Sequence, residues 1–147
     1  MLVFLDFFMA LLGIHWVADF VCQTHWQAFN KSKNIGALLS HVALYTLILS
    51  GGSALYMMGT DMTWPGYVQD WEKFTAANFI LHFMTDFCTS RWSSVLFKKQ
   101  MKMIWTDEMR TIRWDDFNPH NFFVVIGFDQ LLHQVGFWIT VRVFLVP

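Results

Sequence analysis

Four long apolar segments alternate with short polar segments along this chain of 147 residues. They cover about 2–22, 35–58, 74–97 and 120–146. A helix needs roughly 20 apolar residues to cross the hydrocarbon core of a bilayer, and each segment has that length. The pattern predicts an all-α, polytopic membrane protein in which one domain, residues 1–147, forms a bundle of four transmembrane helices.

Each apolar segment contains a histidine, and in three segments an aspartate lies four residues away. Side chains with this spacing lie on one face of a helix, one turn apart. Counted from the segment ends at about 1.5 Å per residue, all of these side chains fall at similar depth. We therefore expect them to form one polar layer in the cytoplasmic half of the bilayer. The residues are His15 with Asp19, His82 with Asp86, Asp129 with His133, and His41 in the second segment.

Burial of three aspartates in a membrane needs compensation. One Asp at the centre of a membrane helix costs about 2.5–3.5 kcal/mol on insertion scales. Three unpaired aspartates would cost on the order of 8–10 kcal/mol, so they must pair with histidines or with a cation. Three interpretations follow: a metal site, a path for protons or ions, and a polar network with a structural role only.

The metal-site interpretation rests on the donor types. Imidazole nitrogen and carboxylate oxygen are the ligands of catalytic zinc, and also of iron and manganese sites. Seven candidate ligands exceed one tetrahedral shell, so they suit either two metals or one metal with outer carboxylates that hold the imidazoles. All seven residues of the polar layer are therefore candidate ligands, with zinc as the expected metal and iron or manganese as alternatives.

Three further polar residues lie next to this layer. Gln23 continues the His15–Asp19 face by one turn, and Gln130 adjoins Asp129, so either amide could orient a ligand. Arg91 follows Asp86 and could bind an anionic lipid headgroup, together with the basic pair at 98–99. The alternative for Arg91 is an arginine that extends to the membrane interface.

The segment between the third and fourth helices has its own pattern. Met101, Trp105, Met109 and Ile112 recur at helical spacing, with basic residues beside them. This predicts a short amphipathic helix over 101–114 on the membrane surface. The alternative is a plain connecting loop.

Basic residues are concentrated after the first and third segments, which makes both loops cytoplasmic and puts both termini on the outer side. They are Lys31, Lys33, Arg91, Lys98, Lys99, Lys102, Arg110 and Arg113.

Composition supports a bilayer protein. The chain is 55% hydrophobic and 14% charged, against about 45–50% and about 25% for soluble domains. A formal net charge of −1 provides no basic surface for nucleic acid. Gly51 and Gly52 could permit close helix approach, and this region could serve a homo-oligomer.

The motifs of the polar layer resemble a known family, the bacterial and phage membrane proteins grouped as domain of unknown function 3307. That resemblance implies a small integral protein of the bacterial inner (cytoplasmic) membrane or of a phage, without an assigned activity. A looser resemblance exists to small membrane-bound metal-dependent hydrolases. The motifs are His15-x-x-x-Asp19-Phe20-x-x-Gln23, Lys31 and Lys33, His41-x-x-x-Tyr45, His82-x-x-x-Asp86 with Arg91, and Asp129-Gln130-x-x-His133.

The resulting hypothesis is metal-dependent hydrolysis of a membrane-embedded or lipid-linked substrate. Asp86 or Asp19 would act as general base on a water whose pKa zinc lowers to about 7. The alternative is transport of a proton or metal ion through the same layer. A second alternative is a phage or bacterial interaction protein in the membrane, held together by the polar network.

Overall fold

The computed structural model describes residues 2–60, 67–104 and 119–145, with side chains for 5–60, 70–96, 120–121 and 123–145. Within these ranges the chain is helical and contains no strand, which confirms the all-α class. The elements are α1 (Leu2–Trp16) with a π-helical turn (Val17–Val21), α2 (His25–Asn30), α3 (Ile35–Gly59), α4 (Tyr67–Ile104) and α5 (Pro119–Phe144).

Helices α3 and α5 lie where the apolar segments predict them. Helix α4 is longer than predicted: it starts seven residues before 74 and ends seven after 97. Its first turns are stabilised by an ion pair between Asp70 and Lys73, 2.9 Å apart. The predicted surface helix therefore does not begin at residue 101, because 101–104 continue α4. The rest of that predicted helix, 105–114, lies outside the described residues.

The first predicted helix changes from α-helical to π-helical geometry at Val17. A π turn follows α1, closed by a hydrogen bond from Cys22 N–H to Val17 O of 2.9 Å. Such turns insert one residue into a helix and occur frequently at functional sites. The inserted turn carries Asp19, which is buried. Asp19 contacts His41, whereas His15 contacts Tyr45, and both contact Gln130.

Helix α2 lies in the segment after the first apolar run, which the sequence analysis treats as a loop, so that expectation is wrong for His25–Asn30. It begins with a capping box: Gln27 N–H donates to Thr24 Oγ1 (3.2 Å), and Thr24 N–H donates to Gln27 Oε1 (2.9 Å). This reciprocal pair satisfies two amides that a helix start leaves free. Gln27 Nε2 also donates to Ser40 Oγ at 3.3 Å, which attaches α2 to α3.

The core lies where α1, α3, α4 and α5 meet. It is formed by large apolar side chains, each almost fully buried: Phe7, Leu11, Tyr45, Leu49, Phe74, Phe137 and Val141. Burial of such side chains contributes about 1.5–3 kcal/mol each. Gly52 confirms the predicted close approach: a Cβ there would lie 2.9 Å from Ile14 Cγ2, whereas Gly51 faces open space.

Two helices are long and apolar enough to cross a membrane: α3, and the Phe123–Phe144 part of α5. In the described part of the chain, α1 and α4 do not meet that criterion. The outer faces of the two helices carry exposed large apolar side chains, such as Leu47, Leu55 and Val143. Apolar surface of this extent marks contact with a membrane or with another protein.

Candidate metal centre

Four side chains from three elements converge inside the bundle: Asp19, His41, His82 and Asp86. Each is at most 4% exposed. His41 Nε2 lies 3.1 Å from Asp19 Oδ1 and 3.2 Å from Asp86 Oδ2. The π turn, α3 and α4 thus deliver their predicted site residues to one point.

His82 closes this four-residue cluster. Its Nε2 lies 3.2 Å from His41 Nε2, and 3.7 Å from both Asp19 Oδ1 and Asp86 Oδ2. Five of the six distances between these donor atoms therefore fall between 3.1 and 3.7 Å. A tetrahedral ion with bonds of about 2.0–2.1 Å needs donor atoms about 3.3–3.4 Å apart. The cluster has the size and the donor set of a metal site.

Lys31 also belongs to the site, although the sequence predicts that it lies in the cytoplasmic loop after the first segment. Its Nζ lies 2.9 Å from Asp86 Oδ2, and its side chain is only 18% exposed. Burial lowers the pKa of this ammonium, but the carboxylates of Asp86 and Asp19 outweigh burial and raise the pKa above its usual range. The C-terminal end of α2 therefore supplies a positive charge to the cluster.

Asp129 and His133 bring α5 to the other side of Asp19. Asp19, Asp129 and His133 each offer a donor atom, and these atoms lie within 4.8 Å of one another. His133 Nδ1 donates to the backbone oxygen of Asp129 at 2.9 Å, and Thr89 Oγ1 donates to Asp129 Oδ1. Two groups of candidate ligands thus share Asp19.

His15 lies in the same layer, but neutral partners occupy its ring. Its Nδ1 lies 3.0 Å from the Tyr45 hydroxyl, and its Nε2 lies 3.2 Å from Gln130 Oε1. The Gln130 amide nitrogen donates in turn to Asp19 Oδ2 (3.1 Å) and Asp129 Oδ2 (3.2 Å). Gln130 therefore contacts both carboxylates, whereas His15, a predicted metal ligand, contacts Tyr45 and Gln130 and belongs to neither group of candidate ligands among the described residues.

Gln23 and Arg91 have different surroundings. Gln23 Nε2 lies 3.2 Å from His41 Nδ1, on the ring edge away from the cluster. The Arg91 guanidinium lies 3.6 Å from the Phe87 ring centre and donates to the Phe87 backbone oxygen at 2.8 Å. Within the described side chains, Arg91 therefore contacts its own helix. The side chains of 98–99 lie outside them.

Two ring nitrogens of the layer remain unsatisfied. His82 Nδ1 and His133 Nε2 are buried and have no hydrogen-bond partner among the described residues. A buried polar atom without a partner costs about 1–3 kcal/mol. Both rings border a cavity of about 40 Å³, which has room for one water. The unsatisfied Nε2 of His133 and the donor set of the four-residue cluster fit a bound cation, whereas His82 Nδ1 lies on the ring edge away from the cluster.

No family model, curated protein or solved structure matches this chain. The resemblance to domain of unknown function 3307 therefore stays an expectation from the motifs. What can be said of function comes from the side chains of the centre and from the helices that hold them.

Proposed function

We propose that this chain is an integral membrane protein that binds a divalent metal ion between Asp19, His41, His82 and Asp86. The observation that carries the proposal is the spacing of 3.1–3.7 Å in five of the six pairs of their donor atoms. Hydrogen bonding alone is a poor account of that crowding, because three donor or acceptor atoms surround the single Nε2 of His41. An ion at the centre would contact all four donors at once.

The charges of the site support a cation. Three carboxylates, Asp19, Asp86 and Asp129, lie in the layer, and Lys31 is the one lysine or arginine that contacts them among the described residues. When the histidines are neutral, as metal ligands must be, two negative charges remain uncompensated at a place shielded from water, which is costly. One divalent ion balances them. Two nitrogens and two oxygens in a four-coordinate arrangement favour zinc, with manganese or iron as the alternatives.

Four transmembrane helices are part of the proposal. Helix α1 and its π turn together span 20 residues, Leu2–Val21, which is the length that a bilayer requires. The apolar middle of α4 packs against α3 and α5, the two helices that are apolar enough on their own. The cluster would then lie in the cytoplasmic half of a bacterial inner membrane, in a bacterial or phage protein, with the basic loops on the cytoplasmic side.

The activity that best suits such an ion is hydrolysis of a membrane-embedded or lipid-linked substrate. A bound divalent ion lowers the pKa of water and polarises an ester or phosphate oxygen. A water entering as an additional ligand of the ion would be the nucleophile, and the oxygen of Asp86 or Asp19 that does not bind the ion would accept its proton. Lys31 lies next to Asp86 and is partly exposed, so it could bind an anionic headgroup. Arg91 on α4, which the sequence predicts for this role, is the alternative.

Transport of a proton or ion is the second candidate, because a chain of hydrogen bonds crosses the layer. It runs from Gln23 through His41, Asp19, Gln130 and His15 to Tyr45. Chains of Asp and His residues serve as proton relays in membrane pumps. A third candidate is a structural network in an interaction protein, favoured by the Lys31–Asp86 pair, which compensates one carboxylate without any metal.

Metal binding to the full-length, detergent-purified protein tests the proposal. We expect zinc, manganese or iron to bind stoichiometrically after chelator treatment. Loss of His41 or His82 to alanine should weaken binding by more than the 10–100-fold that loss of an outer partner costs. His25→Ala is the matched control, since His25 is exposed and contacts Phe29, outside the cluster. No binding by the wild type, or equal binding by all variants, would contradict the proposal; flux into liposomes would then test transport.

A further inference from the structure

We infer that the centre holds two metal ions, bridged by the carboxylates of Asp19 and Asp86, with His133 and Asp129 completing the second position. The inference rests on the proposed metal-binding function and extends it from one ion to a pair. Three observations carry it: the orientation of two carboxylates, the free nitrogen of His133, and the position of Asp129.

Each of the two central carboxylates presents its oxygens to opposite sides. Asp86 Oδ2 faces His41 at 3.2 Å, whereas Asp86 Oδ1 faces His133 Nε2 at 3.9 Å. The two oxygens of Asp19 also face different sides: Oδ1 lies 3.1 Å from His41 Nε2, and Oδ2 lies 3.1 Å from Gln130 Nε2. Carboxylates with one oxygen on each side of a centre can bridge two ions about 3.5–4 Å apart.

His133 has a lone pair that nothing else in the described part of the chain uses. Its Nδ1 donates to the Asp129 backbone oxygen at 2.9 Å, which leaves Nε2 as an acceptor. This is how metal-binding histidines are usually held, with the second ring nitrogen bonded to a carbonyl or carboxylate. The ring is buried, and Nε2 has no hydrogen-bond partner among the residues that the structure describes.

The atom that His133 Nε2 faces is also an acceptor. Asp86 Oδ1 lies 3.9 Å away, and when the His133 ring is neutral these two acceptors cannot bond to each other. An ion with bonds of about 2.0–2.1 Å spans at most about 4.2 Å between two ligands. The separation of these two atoms lies within that reach but exceeds the spacing of about 3.3–3.4 Å in a tetrahedral shell, so it suits an ion with more than four ligands.

Asp129 supplies a third ligand. Thr89 donates to its Oδ1, and the Gln130 amide donates to its Oδ2 at 3.2 Å, so the carboxylate is fixed in position. Donor atoms of Asp19, Asp129 and His133 lie within 4.8 Å of one another. Paired carboxylate and histidine ligands that project inward from facing helices are the arrangement of two-metal sites in helical bundles.

Charge determines what else must change when both ions bind. Two divalent ions exceed the three carboxylates by one positive charge, so the Lys31 ammonium beside Asp86 Oδ2 is repelled. Lys31 lies at the end of the short helix α2 and is partly exposed. Its side chain can therefore turn to solvent. Binding of the second ion should release Lys31 from Asp86.

The test is metal stoichiometry and electron paramagnetic resonance of the full-length protein loaded with Mn²⁺. We expect two ions per chain and a spin-coupled multiline spectrum with halved hyperfine spacing. His133→Ala should retain one ion and give an ordinary six-line spectrum, while His25→Ala should behave as wild type. One ion per wild-type chain, or a six-line spectrum at full loading, would overturn the inference.

Two further outcomes separate this inference from the proposed function. No bound ion in any variant would contradict the proposed function itself, whereas one tight ion lost only in His82→Ala would contradict the second ion alone. If His133→Ala does not fold, Asp129→Asn and the wild-type spectrum decide the same question. Asp129→Asn keeps the size of the side chain and should also reduce two ions to one.

Discussion

The Nε2 atoms of His41 and His82 face each other 3.2 Å apart, although the residues lie on different helices. One proton can join two such nitrogens, but two carboxylate oxygens lie within 3.7 Å of the same pair. A cation satisfies all four atoms together, which is why the pair is central to the proposed metal site.

Gln23 is expected to support His41 from behind. The Gln23 Nε2 atom lies 3.2 Å from His41 Nδ1. When the amide rotates by half a turn, its oxygen accepts a hydrogen bond from Nδ1–H, which leaves His41 Nε2 free to bind the ion. Gln23→Leu should therefore weaken metal binding about 10–100-fold, as loss of an outer-shell partner does. Titration of zinc against a competing chelator measures this. Gln134→Leu, at an exposed position of α5, should bind like wild type; equal weakening in both variants would contradict the role of Gln23.

Lys31 should oppose metal binding, because its ammonium contacts Asp86 Oδ2, one of the proposed ligand atoms, at 2.9 Å. Two like charges about 4 Å apart interact with about 4 kcal/mol at an effective dielectric constant of 20. Lys31→Met is thus expected to raise metal affinity at least tenfold. Lys33→Met, an exposed lysine two residues away, is the control and should leave the affinity unchanged.

The same substitution should lower the stability of the metal-free protein. Removal of one partner of a buried ion pair costs about 3–5 kcal/mol, and here it leaves the Asp86 carboxylate uncompensated. Added metal should therefore raise the melting temperature of Lys31→Met more than that of wild type. An affinity of Lys31→Met equal to or below wild type would contradict the competition.

Gly52 and Gly51 should respond to alanine in opposite directions. A Cβ at position 52 would lie 2.9 Å from Ile14 Cγ2, and one at 51 would meet nothing within 4 Å. Overpacking typically costs about 1–3 kcal/mol, whereas alanine in an open helical position gains about 0.4–1 kcal/mol. We expect Gly52→Ala to lower the free energy of unfolding in detergent and Gly51→Ala to raise it. The same change in both would refute the close contact of α1 with α3.

Thr24 should control the order of α2. Loss of an N-cap side chain costs about 0.5–2 kcal/mol, and the capping box of Thr24 and Gln27 starts the helix that ends at Asn30, directly before Lys31. Thr24→Ala should speed amide hydrogen exchange over 25–30, and Thr24→Ser should restore protection because its hydroxyl can still accept. Equal exchange in all three proteins would show that the cap is dispensable.

Much of the fold can be predicted from the apolar segments, because apolar runs of about 20 residues are typical of long helices. The convergence of His41 with His82 and Asp86 is also foreseeable, since each is a costly polar residue in an apolar face. The charged residues at both ends of α4 conceal its length, because hydropathy falls while the helix continues. The π turn at Asp19 has no sequence signature.

The largest omission is Lys31. A lysine between Asn30 and Ser32 is typical of a solvated loop, and only the fold shows that α2 directs it inward to Asp86. The start of α2 can be predicted from the sequence, because Thr24-x-x-Gln27 is a capping-box pattern. The contact of Lys31 with Asp86, 55 positions later in the chain, depends on how α2 packs against the other helices, and no local sequence pattern encodes that packing.

X-ray absorption at the zinc edge of the purified, zinc-loaded protein tests the central claim most directly. We predict stoichiometric zinc with a first shell of nitrogen and oxygen at about 2.0–2.1 Å, and outer-shell scattering from imidazole that decreases in His82→Ala. The spectrum of His25→Ala should match that of wild type. A protein without bound zinc, or a spectrum without imidazole scattering, would contradict a metal ion between His41 and His82.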